Sequence, residues 1–355
     1  MNIRGIGTAV PPNQVNQADS ALLSERVSSR GSKKNGLVQR ILRRTQVQSR
    51  ASVLATGNSS EQIPFYGEEN PSTAARMAEY ARHASPLALA AAKGALADAQ
   101  IAATRITHLV TVCCTGFQAP GFDLALIKKL GLDPEVQRTH VGFMGCHGAL
   151  NGLRVAKAFV DADAEAVVLL CAVELCSLHL YYGWDPEKVV ANALFADGAA
   201  ALIATAKKAE ADNYPSLLAS GSLLIPNSEE LMHWQIGNHG FEMGLSAKVP
   251  EAIATQLKPW LERWLIAKNC SIAEIVSWAI HPGGPRLLQA CANALELNID
   301  QIAESQAVLR KHGNMSSATI LFIIDRLRSS AASGPCIAMA FGPGLSAEVA
   351  LLLLP

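Results

Sequence analysis

Short apolar runs alternate with helical stretches along the whole chain, and this order constrains the fold more than any other feature. Apolar runs bounded by turn residues predict buried strands at 2–7, 107–113, 166–174, 199–205, 275–280, 336–341 and 348–354. Apolar residues at helical spacing predict helices over 85–99, 148–162, 285–295 and 316–327, and Ser85 with Pro86 is a helix-start signal. Repeated strand–helix order predicts a layered α/β fold with helices on both sheet faces.

The two halves of the chain follow the same outline. In each half a buried strand leads through a polar or Gly-rich turn to a helix. A second helix then begins beside a polar residue, Cys146 in the first half and Asn314 in the second. Polar residues and a proline interrupt the apolar pattern between Lys207 and Tyr214. We therefore expect a duplicated unit, with an N-terminal half at 1–207 and a C-terminal half at 208–355.

Composition and charge limit the class of protein. Of the 355 residues 50% are hydrophobic, so the chain can bury a large core. Thirty basic residues balance thirty acidic ones, which argues against nucleic acid as the main partner. The N-terminus lacks a signal-peptide pattern, no apolar run is long enough to span a membrane, and the eight cysteines show no zinc spacing. We expect a cytoplasmic protein without membrane insertion and without a metal.

The segment Val-Gly-Phe-Met-Gly-Cys-His-Gly at 141–148 places Cys146 after a Gly-rich turn and at the start of an apolar helix. The positive end of the helix dipole and the free N–H groups there lower the pKa of a thiol and favour the nucleophilic thiolate. The same N–H groups are suited to hold an oxyanion. Read alone, the segment also fits an inert buried cysteine.

Two further segments carry polar side chains at the ends of apolar elements. His281 ends an apolar strand and is followed by Pro-Gly-Gly-Pro, which predicts a position at the C-terminal edge of a sheet. Asn314 precedes an apolar helix within His-Gly-Asn-Met-Ser-Ser. A hydrogen-bonded structural histidine and an ordinary helix N-cap remain alternatives when each segment is read alone.

Together these three segments resemble the thiolase-fold condensing enzymes, and within that superfamily the type III polyketide synthases related to chalcone and stilbene synthase. Other matching segments are Gly-Ile-Gly-Thr-Ala-Val-Pro-Pro at 5–12, Leu-Phe-Ala-Asp-Gly-Ala-Ala at 194–200 and Phe-Gly-Pro-Gly-Leu at 341–345. The resemblance implies a thiolase-like fold of two βαβαβαββ halves that form five αβαβα layers.

The resemblance also implies roles for individual residues. Cys146 matches the nucleophile that carries the acyl chain, and His281 and Asn314 match the donors that stabilise the enolate formed from malonyl-CoA. Phe195 and Met243 match the two gatekeepers of the cavity entrance, although the family usually has phenylalanine at the second position. The residues that match the coenzyme A-binding cations of the family are Arg40 and Arg44.

Several cavity positions depart from the plant enzymes of the family. Cys114 and Thr115 replace a pair of hydroxyl residues, and Ala119 replaces a methionine that reaches into the partner subunit. His179 lies near the position that controls chain length. The other cavity residues implied by the match are Ser316, Phe341, Gly342 and Pro343.

By this resemblance the chain is a homodimeric acyltransferase that needs no cofactor besides its substrates, acyl-CoA and malonyl-CoA. Small or soft cavity residues favour a fatty acyl starter and an alkylpyrone or alkylresorcinol product. The main alternative is ketoacyl synthase III, which performs one condensation, but the Phe-Gly-Pro-Gly turn and Phe195 favour the iterative enzymes. No glutamate matches that of hydroxymethylglutaryl-CoA synthase, and a non-catalytic partner subunit would normally lack Cys146.

Overall fold

The computed structural model describes residues 1–28, 35–54, 65–67, 69–206, 214–330 and 332–355. Its helices are α1 Gln17–Ser28, α2 Asn35–Arg44, α3 Thr73–Ala99, α4 Phe122–Leu130, α5 Gly148–Ala162, α6 Pro186–Leu194, α7 Val249–Ile266, α8 Pro285–Ala294, α9 Ala303–His312 and α10 Thr319–Arg328. Its strands are β1 Asn2–Ala9, β2 Gln14–Asn16, β3 Ser49–Ala51, β4 His108–Cys113, β5 Gln137–Gly142, β6 Val167–Leu175, β7 Asp197–Thr205, β8 Ser216–Leu224, β9 Met232–Gly237, β10 Gly240–Leu245, β11 Ser277–Ile280, β12 Gly334–Gly342 and β13 Ser346–Leu354. None of the described helices combines the length and the apolar character that crossing a membrane requires.

The large strands form one mixed sheet in the order β11-β12-β13-β8-β1-β7-β6-β4-β5. The first half of the chain contributes β1 and β4 to β7, and the second half contributes β8 and β11 to β13. The two half-sheets meet where β1 pairs with β8 through Asn2 and Ser216. Hydrogen bonds of 2.8 Å from Ile3 N–H to Pro215 O and from Leu217 N–H to Met1 O flank this pair. Because this seam is short, the two half-sheets are held to each other mainly by side-chain packing and less by strand pairing.

Buried apolar clusters arrange the helices in layers around the two half-sheets. The central cluster packs α5 and α10 against the inner faces of both half-sheets, with Leu170 on one side and Ala338 on the other. A second cluster joins α3 and α4 to the outer face of the first half-sheet, and a third joins α7 and α8 to the outer face of the second. The resulting order of helix, sheet, helix, sheet and helix confirms the expected five-layered thiolase-like architecture.

Apart from the elements inserted between β1 and α3 and between β8 and α7, the two halves repeat the same order of core elements with one difference. The first half runs β1-α3-β4-α4-β5-α5-β6-β7, which is the expected βαβαβαββ pattern. The second half runs β8-α7-β11-α8-α10-β12-β13, and its described residues have no strand at the place of β5, where α9 lies instead. The predicted boundary falls at residues 207–213, which lie outside the described residues, so the division into halves stays a prediction.

Two local expectations differ from the structure. The helix predicted to start at Ser85 begins at Thr73, with Ser72 as the N-cap, and Pro86 lies within it. Apolar residues upstream of the proline, including Tyr80 and Ala84, continue the buried face of this helix, so packing overrides the local start signal. Sequence analysis also missed β8 and the β9–β10 hairpin, which have mixed polar and apolar composition.

Close packing of β1 against α3 supplies a test of the fold. A Cβ atom at Gly7 would lie 2.2 Å from Ala91 O and 2.3 Å from Ala95 N, so the helix backbone leaves no room for a side chain. We expect Gly7→Ala to lower the free energy of unfolding by about 1–3 kcal/mol, as overpacking does. Chemical denaturation monitored by circular dichroism measures this loss.

The matched control is Gly36→Ala in α2, where nothing lies within 4 Å of an added Cβ. Alanine in a helix is favoured over glycine, so this variant should be unchanged or more stable by about 0.5–1 kcal/mol. Equal effects of the two substitutions would contradict the packing argument.

Candidate active site

Cys146 lies on the one-turn 3-10 helix Gly145–His147 that leads from β5 into α5. Gly145 has φ +72°, and a Cβ atom there would lie 2.3 Å from Pro343 Cδ, so this turn requires glycine. Cys146 is 8% exposed and lines an enclosed cavity together with Gly145 and Pro343. The turn therefore presents the thiol to a cavity rather than to bulk solvent.

Asn314 is held by the backbone of the opposite half of the molecule. Its N–H donates to Leu194 O and its C=O accepts from Ala196 N–H, both at 2.8 Å, so the chain pairs with Phe195 as an isolated bridge. Side-chain Oδ1 of Asn314 accepts from Ser316 N–H at 2.8 Å, which fixes the orientation of the amide. Nδ2 is buried without a conventional hydrogen-bond partner, and such a donor is costly unless a ligand satisfies it.

His281 directly follows β11, and its N–H donates to Met339 O at 2.8 Å. The side chain is 1% exposed, and neither ring nitrogen has a hydrogen-bond partner within the part of the chain that the structure describes. Burial, with a smaller effect of nearby His147, lowers the pKa of His281 to about 3. At neutral pH the ring is therefore an uncharged imidazole with one open donor and one open acceptor.

The electrostatics of Cys146 differ from the sequence-based expectation. Burial raises the pKa of the Cys146 thiol to about 12, although the nearby polar groups of Ser316 and Asn314 act in the opposite direction. The expectation of a lowered pKa is therefore wrong for the ligand-free chain, because desolvation outweighs the helix N-terminus. The resting site contains a neutral thiol and a neutral imidazole.

A buried carboxylate that sequence analysis missed organises the residues beside the nucleophile. Glu174, near the end of β6, is fully buried and accepts hydrogen bonds from Thr115 Oγ1 at 2.7 Å, from Cys114 N–H at 3.1 Å and from Ser317 Oγ. Burial raises the pKa of Glu174, while these hydrogen bonds lower it. The sequence signal that could have identified Glu174 is a single acidic residue in an otherwise apolar strand.

The cavity that contains Cys146 encloses about 50 Å3. Most of the predicted wall residues line it, namely Cys114, Thr115, His179, Phe195, Met243, Ser316 and Pro343. Sequence analysis missed further wall residues from the loop before α6, from α6 and from the β9–β10 segment, among them Tyr181, Lys188, Met232, Trp234 and Phe241. The hairpin strands were not predicted, so of their cavity-lining side chains only Met243 was assigned, and that through the family resemblance.

The other predicted cavity residues lie elsewhere. Ala119 is exposed and does not line the cavity. Phe341 packs in the core of the second half, and Gly342 packs against His147, where a Cβ atom would lie 2.3 Å from the ring Cδ2. His281 and Asn314 also lie outside the residues that line the cavity. The roles assigned to all these residues stay predictions.

A second cavity, of about 330 Å3, lies on the far side of α6 from the first one. Leu194 lines this cavity and the adjacent Phe195 lines the inner one, so the two residues separate the cavities. Arg44 lines the second cavity together with the Gly-Gly turn that follows His281, whereas Arg40 is exposed on α2 outside its lining.

Arg50 belongs to the same basic stretch of sequence but is buried. Its guanidinium donates to Asn192 O at 2.6 Å and to Phe195 O at 2.9 Å. Burial lowers the pKa of Arg50 to about 10, and Asp197 opposes this shift. Arg50 therefore anchors the backbone of the gatekeeping position.

The model for the N-terminal domain of chalcone and stilbene synthases matches residues 1–208, and the model for the C-terminal domain matches residues 216–354. The chain belongs to the chalcone and stilbene synthase family. It is 32% identical over 354 residues to the alpha-pyrone synthesis polyketide synthase-like Pks18 of Mycobacterium tuberculosis, covering 98% of this chain and 89% of the relative. It is 31% identical over 356 residues to the 1,3,6,8-tetrahydroxynaphthalene synthase of Streptomyces peucetius, covering 99% and 92%.

The fold of this family member also matches solved structures. The crystal structure of PKS-I from the brown alga Ectocarpus siliculosus has a TM-score of 0.92 and 28% sequence identity, covering 99% of this chain and 98% of that chain. These matches confirm the type III polyketide synthase assignment and the fold class. The protein is thus a decarboxylating condensing acyltransferase, and the separate ketoacyl synthase III alternative is not supported.

His179 provides a pH-dependent test of the cavity wall. Its Nε2–H donates to Thr115 O at 2.7 Å, and its Nδ1 accepts from Phe241 N–H at 2.9 Å; the second contact requires the neutral ring. Burial lowers the pKa of His179 to about 3. Below the ordinary histidine pKa of about 6.5 the unfolded chain binds a proton that the folded chain does not, so stability falls as pH falls.

When the pH is lowered from about 6.5 to about 5, the free energy of unfolding of the wild-type chain should fall by about 1–2 kcal/mol more than that of the His179→Gln variant. Glutamine keeps a donor and an acceptor but does not titrate. Urea denaturation at the two pH values measures the difference. Parallel pH dependence of the two proteins would contradict the neutral, buried state of His179.

Proposed function

We propose that the enzyme loads an acyl group from acyl-CoA onto Cys146 and extends it iteratively with malonyl-CoA, with His281 and Asn314 as the enolate-stabilising donors. The observation that supports these roles is that the buried His281 ring and the buried Asn314 Nδ2 find no hydrogen-bond partner among the described residues. The second of these acts on the pKa of the buried Cys146 thiol and is therefore close to it. Native proteins rarely leave such groups unpaired unless a ligand completes them.

Loading begins from the neutral thiol and neutral imidazole. His281 accepts the Sγ proton as the thiol attacks the carbonyl carbon of the acyl-CoA thioester. A bond forms between Cys146 Sγ and this carbon, and the bond to the coenzyme A sulfur breaks. The coenzyme A thiolate then takes the proton from the imidazolium, which restores the neutral His281 ring.

Extension places negative charge where the two open donors lie. Loss of CO2 from malonyl-CoA leaves an enolate whose charge is on the thioester oxygen, and His281 and the Asn314 amide donate to it. The enolate carbon attacks the acyl-Cys146 thioester, so a C–C bond forms and the S–C bond to Cys146 breaks. The product is a β-keto thioester that is two carbons longer. Phe195, whose backbone pairs with Asn314, limits entry of water during this step.

The size of the inner cavity favours a short polyketide. It encloses only about 50 Å3, and flexible Met232 and Met243 in the wall are able to repack around an acyl chain. We infer an alkyl α-pyrone, in which the enol oxygen of a triketide attacks its own thioester carbonyl and releases the thiol. An alkylresorcinol needs a further extension. The Mycobacterium tuberculosis relative named for alpha-pyrone synthesis supports this inference.

We also propose that the second cavity admits the two coenzyme A thioesters, with Arg44 and Arg40 placing positive charge near their phosphates. The steps above use only these substrates, so we propose no other cofactor. An enzyme that consumes coenzyme A thioesters fits the cytoplasm.

The proposed function is tested by incubating the protein with malonyl-CoA and a panel of acyl-CoA starters and identifying the products by mass spectrometry. Alkyl α-pyrones are the expected products. Formation of only single-condensation β-keto products would contradict iterative extension.

The substitution Asn314→Asp separates the catalytic role from a helix-capping role. Aspartate caps helices as well as asparagine does, so a purely structural residue would tolerate the change. A carboxylate beside the developing enolate instead removes a donor and adds repulsion, so malonyl-CoA decarboxylation should fall about 100-fold or more. Release of labelled CO2 from malonyl-CoA measures the rate.

Two controls belong to this experiment. An unchanged circular dichroism spectrum of the Asn314→Asp variant shows that the chain is folded. Cys146→Ala should form no polyketide yet retain some decarboxylation, because both donors remain. Equal rates of malonyl-CoA decarboxylation by wild type and the Asn314→Asp variant would contradict the catalytic role and leave Asn314 with a structural one.

We further propose a homodimer formed through the loop at residues 117–121. Phe117 is 45% exposed and Met144 is 39% exposed, and the Phe117 ring packs 5.4 Å from Phe143. A cluster of exposed apolar side chains of this kind marks an interaction surface.

Light scattering at micromolar concentration should therefore give twice the chain mass of 37.6 kDa. Phe117→Lys should shift the population toward the monomer, whereas Ile266→Lys, a control at a position that is 68% exposed, should not. A monomeric wild-type chain would overturn the proposal.

A further inference from the structure

The proposed loading and extension steps do not use His147, the buried residue that follows the nucleophile. His147 is 1% exposed, and both of its ring nitrogens have hydrogen-bond partners. Nδ1 lies 2.7 Å from Asn151 Oδ1 in α5, and Nε2 lies 2.8 Å from Ser346 Oγ at the start of β13. Because α5 belongs to the first half of the chain and β13 to the second, the ring bridges the two halves directly beside Cys146.

These partners fix the tautomer of the His147 ring. An amide oxygen only accepts hydrogen bonds, so Nδ1 carries the proton and donates to Asn151 Oδ1. Burial lowers the pKa of His147, although Asn151 and the charge of Glu348 act in the opposite direction. At neutral pH the ring is therefore uncharged, and its Nε2 accepts from the Ser346 hydroxyl. A buried ring whose two nitrogens are both satisfied is held in one orientation.

The turn that carries Cys146 depends on a side-chain anchor of this kind. Gly145 and Gly148 flank the pair Cys146 and His147, and glycine restricts the backbone less than any other residue. The His147 ring also packs closely against Gly342, where a Cβ atom would lie 2.4 Å from Nε2. The hydrogen-bonded and tightly packed ring therefore supplies the rigidity that the flanking glycines do not.

Loading and decarboxylation place different demands on this turn. Loading requires Cys146 Sγ to be aligned with the thioester carbon and with His281, and a misplacement of about 1 Å is able to cost about 100-fold in rate. Decarboxylation requires the donors His281 and Asn314, whose backbones are hydrogen-bonded to β12 and to the end of α6. A loosened turn should therefore slow loading and spare decarboxylation.

We propose that His147 is a positioning residue for Cys146. Its hydrogen bonds to Asn151 and Ser346 hold the turn in the geometry that attack on the acyl-CoA thioester requires. Because both ring nitrogens are occupied by these partners, the ring acts through the position of Cys146 and not as a base. This role rests on the proposed function, since it concerns the loading step.

The experiment measures two partial reactions on the same variants. Loading is followed as the mass gain of Cys146 after mixing with hexanoyl-CoA in the absence of malonyl-CoA. Decarboxylation is followed as the release of labelled CO2 from malonyl-CoA alone. Ser346→Ala removes one hydrogen bond to the ring, so its loading should slow about 10-fold or more while its decarboxylation stays within about twofold of wild type. His147→Phe keeps an aromatic ring but loses both hydrogen bonds, and it should show the same split with slower loading still.

A conservative variant and a matched control accompany these changes. Ser346→Thr keeps the hydroxyl and should restore loading close to the wild-type rate. The control is Ser222→Ala in the neighbouring strand β8, which removes a hydroxyl that donates to Glu348 at 2.8 Å instead of to His147. Ser346→Ala and Ser222→Ala each remove one hydrogen bond, so their midpoints of thermal unfolding should fall by similar amounts. Loading by Ser222→Ala should nevertheless match that of the wild type.

The outcomes separate this role from the proposed function. Equal loading rates for wild type, Ser346→Ala and His147→Phe overturn the positioning role and leave the synthase function intact. Equal losses of loading and decarboxylation in Ser346→Ala also overturn it, because that pattern indicates general damage to the site. If Cys146 of the wild-type chain gains no acyl group and no polyketide forms, the proposed function fails and the positioning role fails with it.

Discussion

Two buried helices meet at their N-termini in the centre of the molecule, and the geometry of the site depends on this contact. A Cβ atom on Gly148, the first residue of α5, would lie 3.5 Å from Ser317 Cβ and 3.0 Å from Val112 Cγ1. Cys146 lies on the turn that precedes α5, and Asn314 lies just before the turn that precedes α10. Glycine at this position is needed for the close packing of α5 on Val112, and the contact with Ser317 brings Cys146 of one half and Asn314 of the other half to the same region.

Polar groups buried near this contact fall into two classes. Glu174 is satisfied by donors from both halves, Thr115 in the first and Ser317 in the second, so it ties the halves together. The His281 ring and Asn314 Nδ2 remain unsatisfied in the ligand-free chain. An unsatisfied buried donor destabilises the fold, and sites that break the packing rules in this way are expected where a substrate completes them. The satisfied Glu174 therefore stabilises the fold, whereas the neighbouring His281 ring and Asn314 Nδ2 are open to a ligand.

The end of α6 couples the site to the route by which substrates arrive. Leu194 faces the outer cavity, Phe195 faces the inner one, and the backbone of Leu194 receives the Asn314 N–H. Arg50 fixes the same segment through the carbonyl of Phe195. The backbone of Asn314 is thus hydrogen-bonded to the segment that separates the two cavities.

The sequence by itself determined the α/β class, because strand patterns, glycine turns and helix starts are local properties, and its matching segments identified the family. Only the tertiary structure decided the start of α3, the network around Glu174, the burial of Arg50 and the direction of the Cys146 pKa shift. These features depend on desolvation and on partners far away along the chain. A basic residue in a sequence does not reveal whether it lies at a cavity mouth or inside the core, since packing of distant elements decides that.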